Sequence, residues 1–196
     1  MPKLFVYGAQ MIHPESLGVT SWPARVRGHT VEFMARGIPV FEPAFAELEP
    51  VADPHAAAYG VVVEFSDSAW AELVRHESGY AVVEVEAELL DPSRATELGA
   101  SSLRCHAFRL LERERLATPG RPSARYARKL VAGARAHGLP PDVIARYEQA
   151  AAQGGRASLA LAWLYPFASR VGLGTTALLL ALVVATVVIA LVAWLT

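Results

Sequence analysis

Residues 4–11 read LFVYGAQM, an apolar run from Leu4 to Tyr7 that stops at Gly8 and enters a small, polar turn. An apolar run closed by a glycine describes a first core strand and its turn. It equally describes a loop whose backbone N–H groups meet a ligand, with Gly8 present because a Cβ would hold the ligand off the main chain. The stretch alone leaves both open.

Working outward, VRGHTVEFMARG (26–37) reads as another strand, turning at Gly37 before Pro39. AAYGVVVEFS (57–66) is the clearest strand, nearly continuous in apolar residues as a strand buried on both faces is. SDSAWAELVRHE (66–77) predicts a helix. Ser66 or Ser68 is its N-cap, Asp67 lies in its first turn, and Trp70, Leu73 and Val74 recur at helical spacing. YAVVEVEAELL (80–90) alternates apolar and acidic residues, the period-two pattern of a half-exposed strand, and LRCHAFRLL (103–111) is a further strand. SARYARKLVAGARAHG (123–138) predicts a helix with Tyr126, Leu130, Val131 and Ala134 on one side, stopped by Gly138 and Pro140. PPDVIARYEQAAAQ (140–153) is a last helix with Pro141 near N1, and GGRAS (154–158) a hinge. Strands fill the first two thirds and helices the last. That order argues an α+β domain, a small mixed β-barrel or sheet with helices packed outside.

Bulk properties limit the function classes. The chain has 196 residues, enough for one domain and an appendage, and its net charge of −1 offers nothing to nucleic acid. A single cysteine, Cys105, excludes an internal disulfide and fits a reducing compartment. The hydrophobic fraction of 53% is high for a soluble domain, and the excess lies at the end. VGLGTTALLLALVVATVVIALVAWLT (171–196) contains no charged residue. As a helix, Leu173 to Leu195 would span about 34 Å, enough for a hydrocarbon core of about 30 Å. Trp194 lies near one end, and Trp163, Tyr165 and Phe167 before the other, where interfacial aromatics belong. Arg156 and Arg170 flank the near side, which places the preceding domain in the cytoplasm by the positive-inside rule. The N-terminal run is too short for a secretory signal. The expectation is a single-pass, tail-anchored membrane protein: a domain over 1–150, a hinge and juxtamembrane segment over 151–170, and a transmembrane helix over 171–196.

Few residues offer chemistry. Cys105 and His106 are neighbours on a strand, so their side chains point to opposite faces and share no metal. His13, His29, His55 and His137 have no partner at ligand spacing and read as surface residues. Arg125, Arg128, Lys129 and Arg135 read as the solvated face of their helix, with contact to anionic lipid as a second use. Glu84, Glu86 and Glu88 share one strand face, and three like charges belong in solvent. Glu77 differs. In RHESGY (75–80) it stands between a helix and a strand beside Gly79, where a turn residue or a catalytic acid–base can sit.

The order of motifs resembles the gamma-glutamyl cyclotransferase-like family. YGAQM (7–11) approaches that family's YGSN, VRGHTVEF (26–33) its G-y-x-l-x-F strand, and AYGVVVEFS (58–66) its V-x-G-v-v-y-x-l strand. LVRHESG (73–79) loosely matches L-D-x-x-E-G, while PSARY (122–126) and GARAHGLP (133–140) closely match P-S-x-x-Y and G-A-x-x-h-G-L-P. The resemblance covers roughly residues 4–150 and not the tail. It implies a mixed β-barrel with flanking helices that converts a gamma-glutamyl amine or peptide to 5-oxoproline and free amine, with no cofactor. It also implies that Glu77 moves the proton, that Tyr7, Gly8, Ala9, Gln10, Met11 and Ile12 form the substrate-binding loop, and that Tyr126 adds a phenol. Ala9, Gln10 and Val74 stand where the family commonly has serine, asparagine and aspartate. These departures leave a second expectation, a membrane-tethered module that binds a ligand or partner without turnover.

Overall fold

The computed structural model describes residues 1–12, 20–38, 42–77 and 79–154. The expected membrane helix, and the hinge and juxtamembrane segment after Gly154, lie outside the described residues. Among those described, no helix is long and apolar enough to cross a membrane.

Among the described residues, seven strands and four helices follow in the order β1 (Lys3–Val6), β2 (Thr20–Arg27), β3 (His29–Ile38), β4 (Glu42–Pro50), β5 (Ala57–Glu64), α1 (Asp67–His76), β6 (Tyr80–Leu89), α2 (Pro92–Leu98), β7 (Ser102–Leu110), α3 (Ala124–Ala136) and α4 (Pro141–Gln153). Short 3-10 turns occupy Ala9–Ile12 and Glu112–Glu114. Five strands close a barrel in the order β1-β5-β2-β6-β7, and β3 and β4 form a separate hairpin. The barrel pairs are antiparallel except where β7 meets β1 in parallel, Leu4 opposite His106. The mixed barrel expected from the sequence is therefore present.

β5 lies between β1 and β2, and Val61, Val62 and Val63 are all fully buried, which is why its sequence lacks a polar face. β6 alternates because Val85 and Ala87 point into the core while Glu84 and Glu86 are exposed; Glu88 is paired with Arg25 and Arg27. The strand expected over 26–37 is a correction. It is two strands in two sheets, broken at Gly28, whose φ of 65° is open to glycine and strained for other residues. Gly28 closes this corner by donating to the Ala56 carbonyl and accepting from the Val51 N–H. β3 then runs through Gly37, so the expected turn does not fall there.

Two packings place the site. Ser66, not Ser68, caps α1 by accepting the Ala69 N–H. The helix lies on the barrel through Trp70, which stacks on His106 at 4.9 Å and Phe108 at 6.1 Å and meets Phe65 edge-on. Cys105, on the other face of β7, is in the core, and burial pushes its thiol up to about 12. On the far side α3 buries Tyr126, Leu130, Gly133 and Ala134. Arg128, Lys129 and Arg135 are exposed, but Arg125 is not part of that solvated face: it pairs with Glu42, which is fully buried and also accepts from Ser123.

Candidate functional site

The strand-ending stretch Leu4–Gln10 lines a cavity of about 440 Å³. Its other walls are Phe45 and Ala46 of β4, Glu77 after α1, Tyr80 of β6, Phe108 of β7 and Tyr126 of α3. Separate segments of the chain thus converge on the end of β1. Beyond Val6 the chain turns into the 3-10 segment, in which the Met11 N–H donates to the Gly8 carbonyl at 3.1 Å. The N–H groups of Gly8, Ala9 and Gln10 precede that first internal bond, so they are the main-chain donors this wall offers.

α3 fixes the turn from behind. Met11 is fully buried, and Gly133 lets the helix approach it closely, since an added Cβ would lie 2.7 Å from Met11 Cβ. His137, at the C-cap of α3, donates from Nε2 to the Met11 carbonyl at 2.9 Å. The surface role expected for His137 is therefore corrected: it ties the loop to the helix.

Glu77 is the C-cap of α1. Its N–H donates to the Leu73 carbonyl at 3.1 Å and its carbonyl accepts the Tyr80 N–H at 3.0 Å, so the residue is held at both backbone ends. Its half-buried carboxyl is raised above the usual carboxylate range by burial, opposed by the hydrogen bond from the Gln10 side chain and the nearby His76. Gln10, one of the departures from the family pattern, thus reaches the one acid among the described residues of the cavity wall. Val74, another, sits on the exposed side of α1.

Three phenols and a second acid complete the site. Tyr126 Oη accepts the Ala46 N–H at 3.1 Å, keeping its own proton for another partner, and Phe45 packs edge-on against its ring at 5.0 Å. Its hydroxyl is near Gly8, 3.6 Å from where a Cβ would stand. Tyr7 donates to the Phe108 carbonyl at 2.6 Å and lies 3.4 Å from Glu47 Oε2. Burial raises the hydroxyls of Tyr7 and Tyr126, and takes that of Tyr80 up to about 12, so all three remain protonated donors at neutral pH.

Of the residues singled out in the sequence, Tyr7, Gly8, Ala9, Gln10, Glu77 and Tyr126 all line one cavity. Met11 and Ile12 do not line it; Met11 instead anchors the turn in the core. Phe45, Ala46, Tyr80 and Phe108 were not foreseen, nor was Glu47 behind them. The available signal was EPAFAELEP (42–50), where a charged residue interrupts an otherwise strand-like run. Among the described residues no group of His, Cys, Asp or Glu could hold a metal ion.

The closed barrel, the flanking helices and this cavity define the domain as gamma-glutamyl cyclotransferase-like in fold. Among solved structures, a gamma-glutamyl cyclotransferase superposes with a TM-score of 0.60 at 18% identity, covering 74% of this chain and 85% of that one. A yeast gamma-glutamyl cyclotransferase specific to glutathione gives 0.59 at 17% identity, over 78% of this chain and 96% of that one. YkqA from Bacillus subtilis gives 0.56 at 18% identity, over 76% of this chain and 54% of that one. No family model matches the sequence, and no curated protein does. Likeness at these identities shows the fold alone.

Proposed function

We propose that the domain converts a gamma-glutamyl amine or peptide to 5-oxoproline and the free amine. One observation carries this reading: a half-buried carboxyl with a raised pKa, Glu77, shares a cavity with the N–H groups of a tight turn and the free proton of Tyr126.

The chemistry needs little else. The substrate's α-nitrogen attacks its own γ-carbonyl carbon, forming the lactam C–N bond, and the original amide C–N bond breaks. Holding both ends of one molecule makes the attack intramolecular, where effective molarities reach about 10⁵–10⁸ M. The α-ammonium must first lose a proton and the leaving nitrogen must gain one. Glu77 serves both, because burial raises its carboxyl above the usual carboxylate range and so makes it a better proton acceptor than a solvated glutamate. The oxyanion formed in between is met by N–H groups of the Gly8–Gln10 turn or by the Tyr126 hydroxyl, both fixed beforehand by backbone contacts. Among the described lining residues none is Lys or Arg, and these neutral donors are what they offer the substrate's α-carboxylate.

The reading includes the membrane. The uncharged run 171–196 is long enough to span, and Arg156 and Arg170 favour a cytoplasmic domain with lipid as the partner of the tail. Sedimentation with membranes, abolished by deleting 171–196, tests the anchor; recovery of the intact chain in the soluble fraction overturns it.

Glu77→Gln tests the chemistry. The amide keeps the shape of the side chain but cannot take a proton from an ammonium. Release of 5-oxoproline from a gamma-glutamyl panel should fall by about 10²–10⁴ with the fold unchanged. Near wild-type release removes Glu77 from the mechanism. A wild type inactive on every compound, yet binding one of them, leaves the binding-only module.

A further inference from the structure

Glu47 is fully buried on β4 and reaches from the hairpin to the barrel strands at the cavity. Its Oε1 accepts the Leu110 N–H at 2.7 Å, and its Oε2 stands 3.4 Å from Tyr7 Oη. Tyr7 Oη is also 2.6 Å from the Phe108 carbonyl oxygen. A phenol has one proton to give, and a carbonyl has none. The shorter contact therefore takes the Tyr7 proton, and Tyr7 turns only lone pairs toward Glu47. An ionised Glu47 would set two acceptors against each other in a buried place, which is costly. A protonated Glu47 completes the chain.

We propose that Glu47 is a positioning residue of this site: as the neutral acid it donates to Tyr7 Oη, Tyr7 donates to the Phe108 carbonyl, and this relay fixes the end of β1 from which the Gly8–Ile12 turn departs. Its effect on substrate rests on the function proposed above; its effect on the turn does not.

The groups facing Glu47 act in both directions, and burial decides for the neutral form. From β4 itself, Glu49 adds negative charge; Arg115, which opposes it, is held by Glu49 through two contacts at 2.6 and 3.0 Å. Glu32 stands opposite in the β3 ladder and is paired with Arg146 at 3.5 Å. Tyr7, just after β1, and Tyr80 from β6 are protonated phenols; the Leu110 N–H from β7 favours the ionised form but is outweighed by burial. Burial is the largest influence and raises the Glu47 carboxyl from 4.5 to about 7. Because the folded-state value is raised, this group's contribution to stability is complete below the unfolded value and is lost as pH rises through about 7. The relay is therefore intact at pH 6 and mostly broken at pH 8.

Glu47→Gln separates this role from mere packing. The amide oxygen still accepts the Leu110 N–H, while the amide NH₂ donates to Tyr7 at every pH. Amide hydrogen exchange of Met11, whose N–H is held by the Gly8 carbonyl, is measured on the full-length chain in detergent at pH 6 and pH 8, corrected for intrinsic rates. Wild-type protection should fall by about tenfold between the two, and that of Glu47→Gln should hold at its pH 6 level. Adding Tyr7→Phe to each should erase the difference between wild type and Glu47→Gln. In kinetics on a gamma-glutamyl substrate, KM should rise through pH 7 for wild type and stay level for Glu47→Gln, with kcat moving less. Wild-type protection that is independent of pH, or an equal fall in Glu47→Gln, overturns the proposal, and the wild-type measurement alone suffices should the variant not fold. Absence of 5-oxoproline from wild type refutes the function, while the exchange data still decide the role of Glu47.

Discussion

Replacing Gly133 by alanine sets two effects of known size against each other. In a helix interior alanine is better than glycine by about 1 kcal/mol. Here, however, the new methyl would lie 2.7 Å from Met11 Cβ, 3.0 Å from Met11 C and 3.1 Å from Ile12 N. Carbon atoms rest at about 3.5–4.0 Å, so helix and turn must separate by roughly 1 Å. Neither side yields cheaply. Met11 is fully buried, the atoms struck belong to or adjoin the backbone, and Leu130 and Ala134 hold α3 in the core. Overpacking of this kind costs about 1–3 kcal/mol, so the propensity gain is outweighed and the net loss is about 1 kcal/mol. The larger effect falls on the site, because the displaced turn begins at Gly8 and carries Gln10 to Glu77. A misplacement of about 1 Å can cost about 10² in rate. Urea unfolding and 5-oxoproline kinetics on the full-length protein should therefore disagree, with a small loss of stability beside a large loss of turnover. A Gly133→Ala protein that is more stable than wild type and equally active would show that α3 does not set the position of the turn.

Gln10→Ala removes the donor that favours the ionised Glu77, so its already raised pKa rises further; the acid limb of kcat/KM, which needs the carboxylate, should move to higher pH, and an unmoved limb would separate Gln10 from the proton transfer. Arg125→Ala leaves the fully buried Glu42 with Ser123 but without its cation, and denaturant unfolding should show a loss of about 3–5 kcal/mol, against well under about 1 kcal/mol for the exposed Arg128→Ala. Equal effects from both would return Arg125 to the solvated face.

Much of the fold was legible because its patterns are local. The unbroken valines of β5, the alternation of β6 and the spacing of Trp70 or of Tyr126, Leu130 and Ala134 each arise from one element facing one core. What escaped was set by contacts distant in sequence. The strand expected over 26–37 joins the last two residues of β2 to β3, because nothing local says that Gly28 adopts a positive φ and sends the chain to a second sheet. β4 was missed because Glu42 and Glu47 occupy buried positions, reversing the rule by which a strand is read. Their partners Arg125, Ser123, Tyr7 and Leu110 lie 40 residues away or more, and only folding brings them near.

The candidate site divides the same way. By itself the sequence determined that an apolar run, Leu4–Tyr7, ends at Gly8, that Glu77 stands at the end of a helix, and that Tyr126 lies on the apolar side of another, since each follows from a neighbouring pattern of size and polarity. Only the tertiary structure decided that these three meet at one cavity, that Met11 turns into the core and His137 holds it there, and that Glu47 stands behind Tyr7. The reason is physical: a pKa or a hydrogen-bond direction depends on what lies within a few ångströms in space, and closing a barrel makes neighbours of residues that the chain keeps far apart.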